Sequence, residues 1–163
     1  MTKHSQDSLN FLEARAKELF PVSPSTEVYA ALIQHCIYPR LMHSPRDALY
    51  SFHFIKTLHK LRVPNFSILA FIGESLKCLM PAIHFCTEEQ AENLGLFFRE
   101  LITMLDHWSI LENWEEEKCN EHPSFMTSYQ TSITYNDFSK NIVPSIHKRI
   151  SAILNSCIRS SKS

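Results

Sequence analysis

Nine histidines and five cysteines are the residues of this chain with the most chemistry to offer, and their spacing decides what they could do. Cys119-x-x-His122 could place a thiolate and an imidazole on one zinc ion. A zinc site needs a second closely spaced pair, and the nearest candidates, His107 and Cys86, do not form one in sequence. No metal and no other cofactor is therefore expected. A Cys/His nucleophile pair would need an orienting third group and an oxyanion-hole loop, and the sequence marks neither. Two glycines leave no phosphate cradle. His53 and His59 share one helical stretch with Lys56 between them, where a helix contact is favoured over proton transfer. The expectation is a chain that is not an enzyme.

Binding chemistry is better represented. Trp108 falls on an apolar stripe and is expected in the core, whereas Trp114 stands beside the acidic run Glu112–Glu117 and is open to either a core or a surface role. Arg40 and Arg46 flank a turn, with Lys56, Lys60 and Arg62 following, so a basic patch is possible there. The candidate interaction surface is accordingly Arg40, Arg46, Lys56, Lys60, Arg62, Trp114, Glu115, Glu116 and Glu117. The net charge of −1 conceals a strong division: residues 1–85 carry +3, residues 86–121 carry −8 and residues 122–163 carry +4.

Helices must position these groups. Eight prolines and two glycines cut the chain into helix-length pieces and argue against a turn-rich β architecture. The central piece starts at Ser44-Pro45-Arg46-Asp47, where a hydroxyl can cap, proline wastes no donor and the carboxylate favours the positive helix end. Ala48, Leu49, Phe52, Ile55, Leu58 and Leu61 then form one apolar face, and Pro64 is expected to stop the helix. Before it lie an amphipathic helix over 5–20 carrying Leu9, Phe11, Leu12, Ala16, Leu19 and Phe20, ended by Pro21, and a second helix opened by Ser23-Pro24 that stops before Pro39.

After it, Asn65 is expected to cap a fourth helix that ends or kinks at Pro81. Thr87-Glu88-Glu89-Gln90 is a capping box, followed by a stripe from Ala91 to Trp108. Residues 127–134 read as loop. A last helix starts near Tyr135, and Pro144 either kinks it or marks its true start. The fold expected is all-α, a single helical domain over 1–158 of about six to seven helices, with a disordered tail over 159–163.

No run of about 18 apolar residues is apparent, and there is no secretory leader, so a soluble intracellular protein with no membrane partner is expected. An odd number of cysteines without a CxxC pair fits reduced thiols.

One further pattern is more specific. Cys36, Pro39, Arg40, Ser44, Asp47, Ala48, Tyr50, His59 and Pro64-Asn65-Phe66-Ser67 stand in an ordered combination, followed by Cys86-Thr87-Glu88, Ala91, Gly95, Phe97 or Phe98, Trp108, Glu117-Lys118-Cys119, Pro123-x-Phe125 and Tyr135-x-x-Phe138. Over roughly residues 25–150 this resembles the C-terminal helical region of the THO complex subunit 2 family, whose members are far longer than 163 residues. The resemblance implies stacked antiparallel helices in an α-solenoid-like array. It also implies a nuclear, non-catalytic scaffold in mRNP assembly and mRNA export, with other THO subunits and an RNA-helicase export factor as partners. A direct RNA-binding module using the basic residues of 40–62 and 140–149 is the alternative.

Overall fold

The computed structural model describes residues 3–15, 18, 20, 26–117, 119–125 and 132–160. The order is α1 (Lys3–Arg15), α2 (Thr26–Leu32), a π turn (Ile33–Ile37), α3 (Tyr38–Leu41), α4 (Pro45–Lys60), α5 (Ile68–Leu79), a 3-10 turn (Met80–Phe85), α6 (Glu88–Trp108) and α7 (Leu111–Glu116). Two short 3-10 turns (Cys119–Glu121 and Pro123–Phe125) lead to α8 (Tyr135–Asp137), a second π turn (Phe138–Ile142) and α9 (Val143–Ser160). No strand element stands among the described residues, and the fold is all-α.

α4 is the hub. It packs on α6 and on α3, while α2 packs on α5. Its start is as the sequence indicates: the Ser44 hydroxyl accepts from the Asp47 N–H at 3.1 Å, with Pro45 in the first turn. Its end is not set by Pro64. The helix closes at Lys60 because Arg62 turns left-handed (φ 49), so that Arg62 N–H donates to His59 O at 2.9 Å and Val63 N–H to Leu58 O at 3.3 Å. That is a Schellman closure, and Val63 and Leu58 are both buried beside it.

The fourth-helix cap is Ser67, which accepts from Ala70 N–H at 3.3 Å, and not Asn65, which is left-handed (φ 62) in the preceding turn. Tyr29 holds that turn: its hydroxyl accepts from Ser67 N–H at 2.7 Å and donates to Asn65 O at 3.3 Å. The capping box at α6 is complete, with Gln90 N–H donating to Thr87 Oγ1 and Thr87 N–H to Gln90 Oε1, and α6 runs to Trp108.

Pro39 behaves unlike its sequence reading, whereas Pro144 stands as expected at the start of α9, its second residue. The second helix does not stop before Pro39, and the last helix is continuous through Pro144. In both cases the proline lies two residues beyond a π turn, closed by Tyr38 N–H to Ile33 O in one and Val143 N–H to Phe138 O in the other. A proline has no N–H to donate and pushes away the carbonyl four residues back; a wider turn just upstream absorbs both effects without ending the helix. The reward is packing, since Tyr29, Ile33, Ile37 and Leu41 stay on one buried stripe across the first π turn.

Other expectations also need correction. Among the described side chains of the pattern expected over 5–20, Phe11 is 59% exposed, Leu12 is partly buried, and Phe20 enters the core against Tyr29 and Phe66. Pro21, Ser23, Pro24, Ala16 and Leu19 lie outside the described residues, as does most of the loop expected over 127–134. α9 runs to Ser160, and residues 161–163 of the expected tail lie outside the described residues. The 18-residue window Ile68–Phe85 does reach a mean hydropathy of 1.4, against the expectation that no such run exists. It spans α5 and the 3-10 turn: Ile68, Phe71, Ile72, Leu76, Leu79 and Met80 are buried in the core, and a Lys77–Glu74 ion pair of 2.9 Å lies on the more open side. Composition of this kind is what a core helix needs.

Candidate interaction surface

α4 buries Ala48, Phe52, Ile55 and Leu58 and turns Arg46, Tyr50, His53 and Lys60 outward at helical spacing. Around its first turn the charges are ordered. Asp47 Oδ2 accepts from the Ser44 hydroxyl at 2.6 Å, while Asp47 Oδ1 lies 3.5 Å from Arg40 Nη1. The Arg40 guanidinium in turn sits 5.0 Å from the centre of the Tyr50 ring, which is 58% exposed. Arg40 is thus held from two sides while half its side chain stays open to water.

The five basic candidates do not form one patch. Arg40 and Tyr50 meet on the α3 side of α4, whereas Lys56 and Lys60 line a cavity of about 270 Å³ between α4 and α6. Across that cavity stand Glu100, His107 and Glu117, so its charge is mixed. Arg62 is exposed at the left-handed turn that ends α4. Lys140, Lys148 and Arg149, the other half of the alternative RNA surface, are exposed on the second π turn and α9.

The acidic candidates separate more sharply. Trp114 is fully buried, against Phe125 at 4.9 Å and Phe138 at 4.6 Å between ring centroids, so it presents no surface and is corrected to a core residue. Glu115 and Glu116 are exposed. Glu117 is committed within the molecule, since its Oε2 accepts from Trp108 Nε1 at 2.8 Å and its Oε1 lies 3.0 Å from His107 Nε2. A carboxylate is the natural partner for a buried indole N–H next to a histidine. The sequence signal that could have separated Glu117 from its neighbours is its position just past α7, where the chain turns back beside the end of α6.

The histidines and cysteines singled out for chemistry are mostly packed. His59 and His122 stack at 4.0 Å between ring centroids with an 18° interplanar angle, flanked by Trp108 and Phe125. Burial first, then its neighbour His122 and the Arg62 cation, push His59 down to about 3. Burial and Arg62 hold His122 at about 4. His122 Nδ1 accepts from Ser124 N–H at 3.2 Å, which fixes the proton on Nε2. Burial outweighs the nearby Glu117 charge at His122, so both stacked rings are held neutral within the aromatic core. The Cys119 thiol is buried and pushed up to about 12 by burial and Glu117, far from thiolate reactivity. Cys36, Cys78, Cys86 and Cys119 are free thiols, and His53 is exposed on α4. Among the described residues no three His, Cys, Asp or Glu side chains gather closely enough to hold a metal ion.

Fold and surface together define a helical packing module whose hub helix buries one face and offers the other. The chain belongs to the Tho2 family, described as transcription factor/nuclear export subunit protein 2, which it matches over residues 1–163. It is 31% identical over 139 residues to the THO complex subunit 2 of Arabidopsis thaliana, covering 80% of this chain and 7% of that protein. The Homo sapiens THO complex subunit 2 is 28% identical over 109 residues, which is 67% of this chain and 7% of the relative. The Saccharomyces cerevisiae protein of the same name is 35% identical over 78 residues, 45% of this chain and 4% of the relative. The chain therefore spans a small fraction of the length of the relatives it matches. No solved structure matches it.

Proposed function

We propose that this chain is a non-catalytic scaffold segment of a THO complex subunit, acting in the nucleus in messenger-ribonucleoprotein assembly and mRNA export. On this reading residues 1–158 are one domain of an α-solenoid-like array, and the work is assembly: rigid helices hold charged and aromatic side chains at fixed spacing, and complementarity selects the partners. Those partners are other THO subunits and an RNA-helicase export factor. The observation that carries the reading is the ordered group of Arg40 on α3 with Asp47 and Tyr50 on α4, its Arg40 and Tyr50 side chains open to water while the opposite face of α4 forms the core. Family membership supports it. Arg46, Lys56, Lys60 and Arg62 extend the basic contact, and Glu115 and Glu116 offer an acidic one for a basic partner.

Direct RNA binding is the competing reading, favoured by the exposed Lys140, Lys148 and Arg149. Cells expressing the full-length protein with Arg40→Glu and Arg46→Glu test the proposal. Loss of co-purifying THO subunits with nuclear retention of polyadenylated RNA is the expected result. Unchanged co-purification and unchanged RNA distribution would contradict it. Binding of a polyuridine oligonucleotide to the isolated chain, with affinity falling steeply as salt rises and lost on Lys148→Glu/Arg149→Glu, would favour the RNA reading instead.

A further inference from the structure

We propose that the hollow between the first π turn and α4 is a docking pocket for an acidic peptide segment that inserts one large apolar side chain. The inference deepens the scaffold reading and rests on it. The cavity measures about 190 Å³ and is lined by Cys36, Ile37, Arg40, Tyr50, Ser51 and Phe54. That is below the roughly 300 Å³ where small-molecule sites begin, and it suits a single side chain of a larger ligand. Its floor is effectively apolar: Ile37 is buried, and the Ser51 hydroxyl is already used, donating to Asp47 O at 2.9 Å. The π turn that widens the helix there is a feature that recurs at functional sites.

The rim supplies specificity. Tyr50 and Arg40 are of the residue types that carry most interface energy, and Arg40 is pre-ordered by the Tyr50 ring at 5.0 Å and by Asp47 at 3.5 Å. Its remaining N–H groups can meet a carboxylate bidentately. Charge identifies the occupant: the one charged side chain lining the hollow is the Arg40 cation, and exposed Arg46 stands one turn before Tyr50 on α4, with Asp47 the acid paired to Arg40. A complementary segment carries Asp or Glu beside its anchor. Nucleic acid fits less well, because the guanidinium already covers the Tyr50 ring against a stacking base.

The test is selection of a random-peptide phage library on the immobilised chain, followed by fluorescence polarisation of the enriched peptides. The expected peptides share one Phe, Leu or Trp flanked by acidic residues. Their affinity should fall by about tenfold or more with Tyr50→Ala and with Arg40→Glu. Cys36→Trp, which fills the mouth of the hollow from an exposed position, should abolish binding without disturbing the fold. The proposal is overturned by no enrichment, by enriched peptides lacking acidic residues, or by peptides that bind all three variants like the parent. It is equally overturned if the three variants instead remove polyuridine binding, or a dimer seen by sedimentation. Full-length protein carrying Cys36→Trp separates the two levels: if it still assembles with its THO partners while peptide binding fails, the pocket is wrong and the scaffold reading stands.

Discussion

Glu117 holds the indole of Trp108: its carboxylate Oε2 accepts from Trp108 Nε1 at 2.8 Å across nine residues of chain, tying the end of α6 to the segment after α7. Removing the carboxylate would leave the indole N–H of a buried ring without its partner. Glu117→Ala should therefore destabilise by about 1–3 kcal/mol, and Glu117→Gln, which keeps an acceptor, by less. Urea melts followed by tryptophan fluorescence measure the difference. Equal midpoints for all three proteins would show that the bond carries no stability.

Phe52 is buried on the face of α4 that packs against α6. Phe52→Ala should cost about 3–5 kcal/mol through lost burial and a residual cavity, a large share of a stability of about 5–15 kcal/mol. Ser44→Ala removes one cap at a partly exposed helix end and should cost only about 1 kcal/mol. Melting curves that reverse this order would mean α4 is not the hub.

Gly73 and Gly95 lie inside α5 and α6 with negative φ, and an added Cβ at either would meet nothing within 4 Å. Glycine there makes no close approach possible and carries only its entropic cost. Gly73→Ala and Gly95→Ala should each stabilise by about 1 kcal/mol, additively, in thermal denaturation. A loss of stability in either would point to an unrecognised packing role.

The pH dependence has a definite sign. His59 and His122 are pushed down to about 3 and about 4 when folded, whereas an unfolded histidine titrates near 6.5. Below pH about 6.5 the unfolded chain takes up protons that the folded rings refuse, so stability is full above that value and falls as pH drops toward 4 and then 3. His59→Phe should flatten the decline between pH 6.5 and 4.5 relative to the parent. It should cost little at pH 7, because His59 Nδ1 has no hydrogen-bond partner to lose. Denaturant midpoints measured across that range decide it, and identical slopes would remove the buried pair as the cause.

What was legible in the sequence was local. The caps at Ser44 and Thr87 and the stripe from Ala91 to Trp108 depend on residues within one or two turns, and the structure places them as expected, with Ala91 partly buried and Leu94, Phe98, Leu101, Leu105 and Trp108 buried. The misreadings share a different cause. Pro39 breaks helices by local rules, yet the stripe Tyr29, Ile33, Ile37 and Leu41 stays in line and buried across the π turn. Trp114 looked like part of an acidic surface because Glu112–Glu117 surround it in sequence, while Phe125 and Phe138 that bury it come from later segments. Arg62 ends α4 from a left-handed conformation that nothing in a non-glycine residue announces. At the candidate surface, the basic residues were visible as types, but the pairing of Arg40 with Tyr50 across the turn between α3 and α4 required the fold.

The most direct test of the scaffold account is the association kinetics of this chain with a THO complex assembled from the other subunits, measured by biolayer interferometry for the parent and for Arg40→Glu/Arg46→Glu. Both substituted side chains are exposed, and the Arg40–Asp47 pair that the double variant loses lies at the surface, so the melting temperature should fall only slightly. The account predicts an association rate at least about tenfold lower for the double variant, with a salt dependence that the variant loses. Equal rates for the two proteins at every salt concentration would contradict it.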